Sequence, residues 1–210
     1  MIVDCIVSGA YQTNVYIVRA GKKENSALII DAGLDGQVLV KFLQDKQIIP
    51  EAVVFTHGHV DHIAGFLQLQ DVYPDIKLYI HKQDGPMLTD PKLNLSALAG
   101  LCIMVDYEAV LAAEGDVIEV AGVCLKVIHT PGHTPGGMCL YAPNDNILFA
   151  GDTLFEESVG RTDFSGGSSR DLKDSIRQKL FVLPDATEVC PGHGAKTSIG
   201  HEKEFNPFVH

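Results

Sequence analysis

Apolar positions recur along the first half of the chain with two periods, one typical of strands and one of helices. Short apolar or alternating runs, as expected for β-strands, occupy residues 2–7, 14–19, 27–30, 52–55 and 78–80. Apolar residues at helical spacing fall at 37–46 and 63–72. Residues 83–100 fit either a helix or a loop. This half is therefore predicted to open with an antiparallel meander and to continue with helices and strands in turn.

The second half repeats the order of strands followed by helices. Predicted strands lie at residues 117–120, 123–128, 138–141 and 147–150. An amphipathic helix follows at 169–180, with Leu172, Ile176 and Leu180 on its apolar face, and a last strand lies at 188–190. Two such β-then-α halves predict an α/β (α+β) fold in which two sheets face each other with helices outside.

The composition is that of an ordinary globular chain. Of its 210 residues, 46% are hydrophobic and 20% are charged, which predicts a single domain over residues 1–210. A formal net charge of −11 repels phosphate backbones and anionic lipid, so nucleic acid and membranes are disfavoured as partners. No apolar run approaches the roughly 18 residues of a membrane span. The N-terminal residues also lack the basic and apolar regions of a signal peptide.

The cysteines favour a reducing compartment. Five are present, an odd number, and they are scattered without a C-x-x-C pair, mostly within apolar runs. They are predicted to be buried free thiols, and the cytoplasm is the expected location. Nothing in the sequence indicates the oligomeric state.

Four potential metal ligands follow the predicted strand at 52–55. They are His57, His59, Asp61 and His62, in the segment F-T-H-G-H-V-D-H. In α/β sheets the carboxyl ends of strands are where ligands bind. Neutral imidazole nitrogens and a carboxylate suit zinc, iron or manganese rather than calcium. We expect Gly58 to allow a tight turn that lets these side chains converge.

Three further strand ends each present a histidine or an aspartate beside glycine or proline. The first offers His129 or His133, and the other two offer Asp152 and His193. With the first four they make seven ligands, enough for two metal ions that share one carboxylate. A structural metal site is usually rich in cysteine, so this set indicates a catalytic one. Asp31, at the end of the strand 27–30, is either an acceptor that braces a metal ligand or an ordinary turn residue.

In this pattern the sequence resembles the metallo-β-lactamase-fold hydrolases, which carry H-x-H-x-D-H and then a distant His, Asp and His. The resemblance implies a four-layer αββα sandwich with the site in a groove between the sheets. It also implies two metal ions that share Asp152. One takes His57, His59 and His133, and the other takes Asp61, His62 and His193. Asp31 falls where the family carries a supporting aspartate, and His129 falls at a non-ligand position.

Such a cluster predicts metal-assisted hydrolysis. Two divalent cations, with zinc as the first choice and iron or manganese as alternatives, generate hydroxide near neutral pH and polarise a carbonyl group. They also stabilise the departing anion. Asp61, beside the metal-bridged hydroxide, is the predicted catalytic residue because it can orient the hydroxide or accept its proton.

Within the superfamily, two segments are similar to the glyoxalase II (hydroxyacylglutathione hydrolase) group of thioester hydrolases. They are residues 151–164, with G-D-T-L-F and G-R-T-D-F, and residues 191–208, from P-G-H-G to F-N-P-F. The resemblance implies hydrolysis of a small-molecule acyl thioester such as S-lactoylglutathione. Arg161 falls where that group places a basic residue near glutathione. It is therefore either a substrate-binding residue or the ion-pair partner of Asp163.

Two departures bear on the substrate, and other activities stay open. The sequence lacks the tyrosine that glyoxalase II places after its basic residue, and only a short helix is expected after His193. A persulfide dioxygenase, with a similar Gly-Arg-Thr-Asp-Phe run, would instead use one iron bound by His57, His133 and Asp152. Hydrolysis of another ester or a lactone, and a non-catalytic metal-binding module, are further alternatives. A flavodiiron-type reductase is disfavoured, because that branch has glutamate where His59 stands.

Overall fold

The computed structural model describes residues 1–209 and contains two six-stranded sheets. The first sheet takes its strands in chain order: β1 (Ile2–Ser8), β2 (Thr13–Arg19), β3 (Ser26–Ile30), β4 (Ile49–Val54), β5 (Lys77–His81) and β6 (Ala109–Ala112). β1, β2 and β3 are antiparallel, as the predicted opening meander requires, whereas β3, β4, β5 and β6 are parallel. The carboxyl ends of β3 and β4 therefore meet at one edge.

The second half of the chain forms the second sheet and a small hairpin. Its strands are β7 (Val117–Val120), β8 (Val123–His129), β9 (Met138–Ala142), β10 (Ile147–Gly151), β11 (Leu154–Phe155), β12 (Ser158–Val159), β13 (Glu188–Pro191) and β14 (Thr197–Ser198). The sheet order is β14-β13-β10-β9-β8-β7, and β11 pairs with β12 apart from it. Since β10 and β13 are parallel, the loops that follow them also lie together.

Helices cover the outer face of each sheet. They are α1 (Gly36–Lys46), α2 (Val60–Ile63), α3 (Phe66–Val72), α4 (Ser169–Ser175), which continues as a π-helical turn at Ile176–Leu180, and α5 (Ile199–Phe205). Short 3₁₀ turns lie at Gly85–Leu88 and Ser96–Ala99. Within the described residues, no helix has the length and apolar character needed to cross a bilayer.

Three apolar clusters hold four layers together. Leu39 of α1 and Phe66 of α3 pack on the outer face of the first sheet. Tyr16 and Phe149, whose rings are 5.3 Å apart, pack between the two sheets. Leu172 of α4, Ile176 of the π-helical turn and Ile199 of α5 pack on the outer face of the second sheet. Burial of these apolar surfaces is the main stabilising contribution, and the arrangement is the predicted αββα sandwich.

The predicted helix at 63–72 is wrong in one respect, because the structure has two short helices there. α2 ends at Ile63 and α3 begins at Phe66. Between them, the Gly65 N–H donates to the carbonyl oxygen of Gly33 at 2.8 Å. A Cβ at position 65 would overlap the carbonyl oxygen of Ala32. The break therefore lets the loop after β3 cross the helix at close range.

The prediction that the cysteines are buried is wrong for three of the five. Cys139 and Cys190 are buried, but Cys5, Cys102 and Cys124 are exposed, and all five are free. Cys5 and Cys124 belong to β1 and β8, where alternate side chains point to opposite faces, and both lie on a solvent side. Cys102 lies in a loop. A strand within an apolar run of sequence can therefore still expose alternate side chains to solvent.

Candidate metal centre

The seven predicted ligands come together at the carboxyl ends of the strands. They form three overlapping groups, within each of which one donor atom per residue lies within 4.8 Å of the others: His57, His59 and His133; His57, His62 and Asp152; and Asp61, His62 and His193. The loop after β4 and helix α2 supply four of these residues, and loops of the second sheet supply the other three. Both sheets therefore contribute to a single centre.

The donor atoms fit divalent cations. Nε2 of His57 and Oδ1 of Asp152 are buried and have no hydrogen-bond partner. Nδ1 of His59 lies 2.9 Å from Nε2 of His133. Buried polar atoms without partners are costly, and two imidazole nitrogens at this distance need a shared proton or a cation that both contact. Imidazole and carboxylate donors in this arrangement suit zinc, iron and manganese.

Backbone oxygens hold the second ring nitrogen of two of these histidines. Nδ1 of His133 donates to the backbone oxygen of Arg161 at 2.7 Å, and Nδ1 of His193 donates to that of Tyr11 at 3.0 Å. A nitrogen that donates to a carbonyl oxygen must be protonated, so the opposite nitrogen, Nε2, is free to bind a metal ion. These two backbone contacts were not predictable, since a carbonyl group has no signature in the sequence.

Asp31 contacts one of the predicted ligands directly. Its side chain is buried, Nδ1 of His62 lies 2.8 Å from its Oδ2, and the backbone N–H of Thr56 donates to its Oδ1 at 2.8 Å. Asp31 also has a positive φ of 59°. A left-handed conformation in a buried non-glycine residue is uncommon and points to a constrained role. The contact is the one that a bracing role for Asp31 requires.

Charges in the centre favour a cation. Burial, next to His133, lowers the pKa of His59 to about 3, so this imidazole is neutral at neutral pH. Burial also disfavours a proton on His193, but its hydrogen bonds to Asp152 and Asp61 raise the pKa of His193 to about 10. For Asp152, burial is outweighed by the adjacent imidazoles, which hold its pKa well below the usual range. The field that retains a proton on His193 would also attract a divalent cation.

Gly58 is required for a reason other than the predicted one. Its φ is not positive, so the loop does not use glycine's conformational freedom. A Cβ at position 58 would instead lie 2.5 Å from Cβ of Met87. Glycine is therefore needed because the segment after β5 packs directly against the loop that carries the first ligands.

Asp84 joins two ligand loops, and the sequence reasoning missed it. Its buried Oδ2 accepts hydrogen bonds from the Gly58 N–H at 3.1 Å and the Thr134 hydroxyl at 2.7 Å. Its Oδ1 accepts one from the Gly136 N–H at 2.6 Å. The carboxylate thus links the loop after β4 to the loop between β8 and β9. The available signal was an aspartate four residues after the predicted strand 78–80, in the loop beyond a strand end.

We expect Asp84→Asn to weaken one of two metal-binding steps about 10- to 100-fold. An amide offers one acceptor oxygen to three donors, so the loops that carry His57, His59 and His133 would shift. The group around Asp61 has no contact with Asp84 and should keep its affinity. Titration of the metal against a competing chelator resolves the two dissociation constants.

Asp90→Asn is the matched control for this substitution. The Asp90 carboxylate also accepts two backbone hydrogen bonds, from Lys92 at 2.8 Å and Leu93 at 3.3 Å, but neither donor belongs to a loop that carries a ligand. It should leave both dissociation constants unchanged. Equal weakening of both steps by Asp84→Asn would contradict a role confined to one group of ligands.

A groove of about 490 Å³ opens above the centre, and Arg161 lies on its wall. The guanidinium donates from Nε and from one terminal nitrogen to the two oxygens of Asp163, each at 2.7 Å. It also lies 4.0 Å from the ring centroid of Phe164. The contact required by the ion-pair alternative is therefore formed.

His81 and His129 lie outside the cluster of ligands. Their rings stack with centroids 4.0 Å apart and planes 12° apart. Burial next to His129 lowers the pKa of His81 to about 4, so the stacked ring stays neutral. His81 is thus a packed side chain, and Nε2 of His129 donates to the backbone oxygen of Pro135 at 2.9 Å.

A four-layer sandwich with a His and Asp cluster at the strand ends defines a class of metal-dependent hydrolases. The chain belongs to the metallo-beta-lactamase superfamily, whose family model matches residues 8–193. An uncharacterized protein of Mycobacterium tuberculosis is 40% identical over 221 residues, covering 100% of this chain and 98% of the relative. Hydroxyacylglutathione hydrolase GloC of Haemophilus influenzae is 30% identical over 214 residues, covering 100% of this chain and 98% of that relative.

Solved structures give the same result. The BLEG-1 B3 metallo-beta-lactamase has a TM-score of 0.93 and 37% identity, covering 99% of both chains. TTHA1623, solved in a di-iron-bound form, has a TM-score of 0.87 and 34% identity, covering 98% of this chain and 100% of that one. ETHE1 from Myxococcus xanthus has a TM-score of 0.78 and 27% identity, covering 99% of this chain and 84% of that one. The chain is a metallo-hydrolase of this superfamily.

Proposed function

We propose that this metallo-hydrolase cleaves an acyl thioester, with S-lactoylglutathione as the reference substrate, into a carboxylate and a thiol. The observation that supports it is the cluster of seven possible ligands on an open groove, in which the Asp152 carboxylate lies 3.6 Å from Nε2 of His133 and 3.5 Å from Nε2 of His193. The full-length similarity to a hydroxyacylglutathione hydrolase adds to it. We propose two divalent cations for these groups, with zinc as the first choice and iron or manganese as alternatives.

The residues around the groove have distinct proposed roles. Bound cations would lower the pKa of water and polarise the thioester carbonyl. The Thr13 hydroxyl donates to Oδ2 of Asp61 at 3.3 Å and thereby orients that carboxylate toward the groove. Asp61 holds the attacking water and accepts its proton. The water oxygen adds to the carbonyl carbon, the C–S bond breaks with its electron pair on sulfur, and the proton held by Asp61 passes to the leaving thiolate, which gives the thiol and the carboxylate.

A persulfide dioxygenase with one iron is the second candidate, favoured by the likeness to ETHE1 from Myxococcus xanthus. The geometry favours hydrolysis over it, because a second ligand group is complete. Asp61 and His193 approach each other to 3.2 Å and, together with His62, offer three further donors. A single iron held by three residues would leave these groups without a role.

We expect the purified protein to hold close to two metal ions per chain and to hydrolyse S-lactoylglutathione. Metal content is measured by mass spectrometry, and thiol release is followed with a chromogenic disulfide reagent. Oxygen uptake with glutathione persulfide and hydrolysis of a chromogenic β-lactam are assayed on the same sample. One iron per chain with rapid oxygen uptake would contradict the proposal, and so would turnover confined to the β-lactam.

A further inference from the structure

The groove leading to the metal centre is walled by apolar side chains. They are Leu95, Leu98 and Ala99 from the segment between β5 and β6, and Phe155, Val159 and Phe164 from the segment that follows β10. Leu98 is 74% exposed, although nothing in its own loop requires a large apolar side chain in water. Apolar surface of this kind, rimmed by polar groups, is typical of a ligand-binding groove. The walls reach the centre, since the Phe164 ring lies 5.9 Å from that of His59.

Outside the metal centre, the groove offers a substrate little positive charge. Among the described residues that line it, Arg161 is the one lysine or arginine. The Arg161 guanidinium is already paired with both carboxylate oxygens of Asp163, and the Phe164 ring covers one of its faces. Glutathione carries two carboxylates, which a site that binds it tightly must pair with cations. The chain as a whole has a formal net charge of −11, which adds to the repulsion.

The leucine wall is held in place and is not a loose loop. Asn94 is buried, and its side chain donates to the backbone oxygens of Met87 at 3.0 Å and Ile103 at 2.9 Å. Its own backbone oxygen accepts from the N–H of Val60, between two predicted ligands, at 2.8 Å. The next residue, Leu95, has a φ of 68°. A bulky side chain held in the left-handed region at the edge of a groove indicates selection for its position there.

We propose that the thioester substrate has an uncharged, apolar acyl arm that lies along Leu95 and Leu98, and a thiol carrier without free carboxylates. This inference rests on the proposed thioesterase function and narrows its substrate. Transfer of the apolar arm from water into the groove contributes the binding free energy, and the thioester is hydrolysed at the metal centre. Lactoylglutathione is then a slow substrate.

The test is a series of N-acetylcysteamine thioesters with acetyl, butyryl, hexanoyl and octanoyl groups, compared with S-lactoylglutathione. Each methylene that enters the groove should raise kcat/KM by up to about fourfold, so hexanoyl should exceed acetyl by at least about tenfold. Leu98→Gln should lower the hexanoyl-to-acetyl ratio by at least about fivefold, mainly through KM. A flat series, or S-lactoylglutathione as the best substrate, would overturn the inference.

Leu93→Gln is the matched control, because Leu93 is an exposed leucine of the same loop that does not line the groove. It should leave the hexanoyl-to-acetyl ratio unchanged, and a fall equal to that in Leu98→Gln would count against the inference. Calorimetric binding of the products tests the groove without turnover. Hexanoate should bind the metal-loaded protein more tightly than acetate, and Leu98→Gln should remove the difference. If hexanoate binds more tightly than acetate but no thioester is hydrolysed, the proposed thioesterase function is rejected, whereas the assignment of the groove as a site for an apolar arm stands.

Discussion

Replacement of Asp152 by alanine is expected to remove both metal ions and to lower thioester turnover by at least about 10³-fold. The carboxylate stands between the ligand groups. Its Oδ1 lies 3.4 Å from Nε2 of His62, and its Oδ2 lies 3.6 Å from Nε2 of His133 and 3.5 Å from Nε2 of His193. Alanine would leave the imidazoles without the negative charge that they share. Metal content and kcat, measured on the same preparation, check the expectation.

Asp163→Ala is the control for the loss of one negative charge near the groove. Its exposed carboxylate pairs with Arg161 and has no ligand role, so this variant should keep both metal ions. A loss of only one ion from Asp152→Ala would show that the carboxylate is not shared between the groups. Full metal content with full turnover would exclude Asp152 from the mechanism.

The convergence of the candidate ligands was predictable because each of their segments follows a buried strand. Strand runs such as 52–55 and 147–150 are strongly apolar, and a parallel sheet brings the carboxyl ends of its strands to one edge. His57 and Asp152 therefore had to lie near such an edge once the strands were recognised. The layered arrangement was predictable for the same reason, since each strand run and each amphipathic helix needs an apolar partner.

The parts that escaped prediction lack a repeating pattern. β11, β12 and β14 have two residues each, too few to show a period of two. β6 has Val110 and Leu111 exposed in succession, so its apolar residues do not alternate. Asp84 and the backbone acceptors act through tertiary contacts that join distant loops. Their roles depend on how the loops meet, and a local pattern does not encode that.

Close packing in the centre extends to a glycine beside the last ligand. Gly192 precedes His193, its N–H donates to the Gly151 oxygen at 2.8 Å, and its own oxygen accepts from the Asn14 N–H at 2.7 Å. A Cβ there would overlap Oδ1 of Asp152 and lie 2.8 Å from Cε1 of His62. The two backbone hydrogen bonds prevent the segment from moving away, so an added methyl group has to displace the ligands.

We therefore expect Gly192→Ala to weaken metal binding at least about 100-fold, while circular dichroism shows an unchanged fold. Gly21→Ala is the matched control, since no atom lies within 4 Å of a Cβ at that position. It should retain both metal ions, and its stability should stay within about 0.5 kcal/mol of the parent. If Gly192→Ala bound two metal ions as tightly as the parent, the carboxylate and imidazole beside it could not be ligands in the positions described. Because the substituted residue has no donor atom of its own, the loss would report on geometry alone.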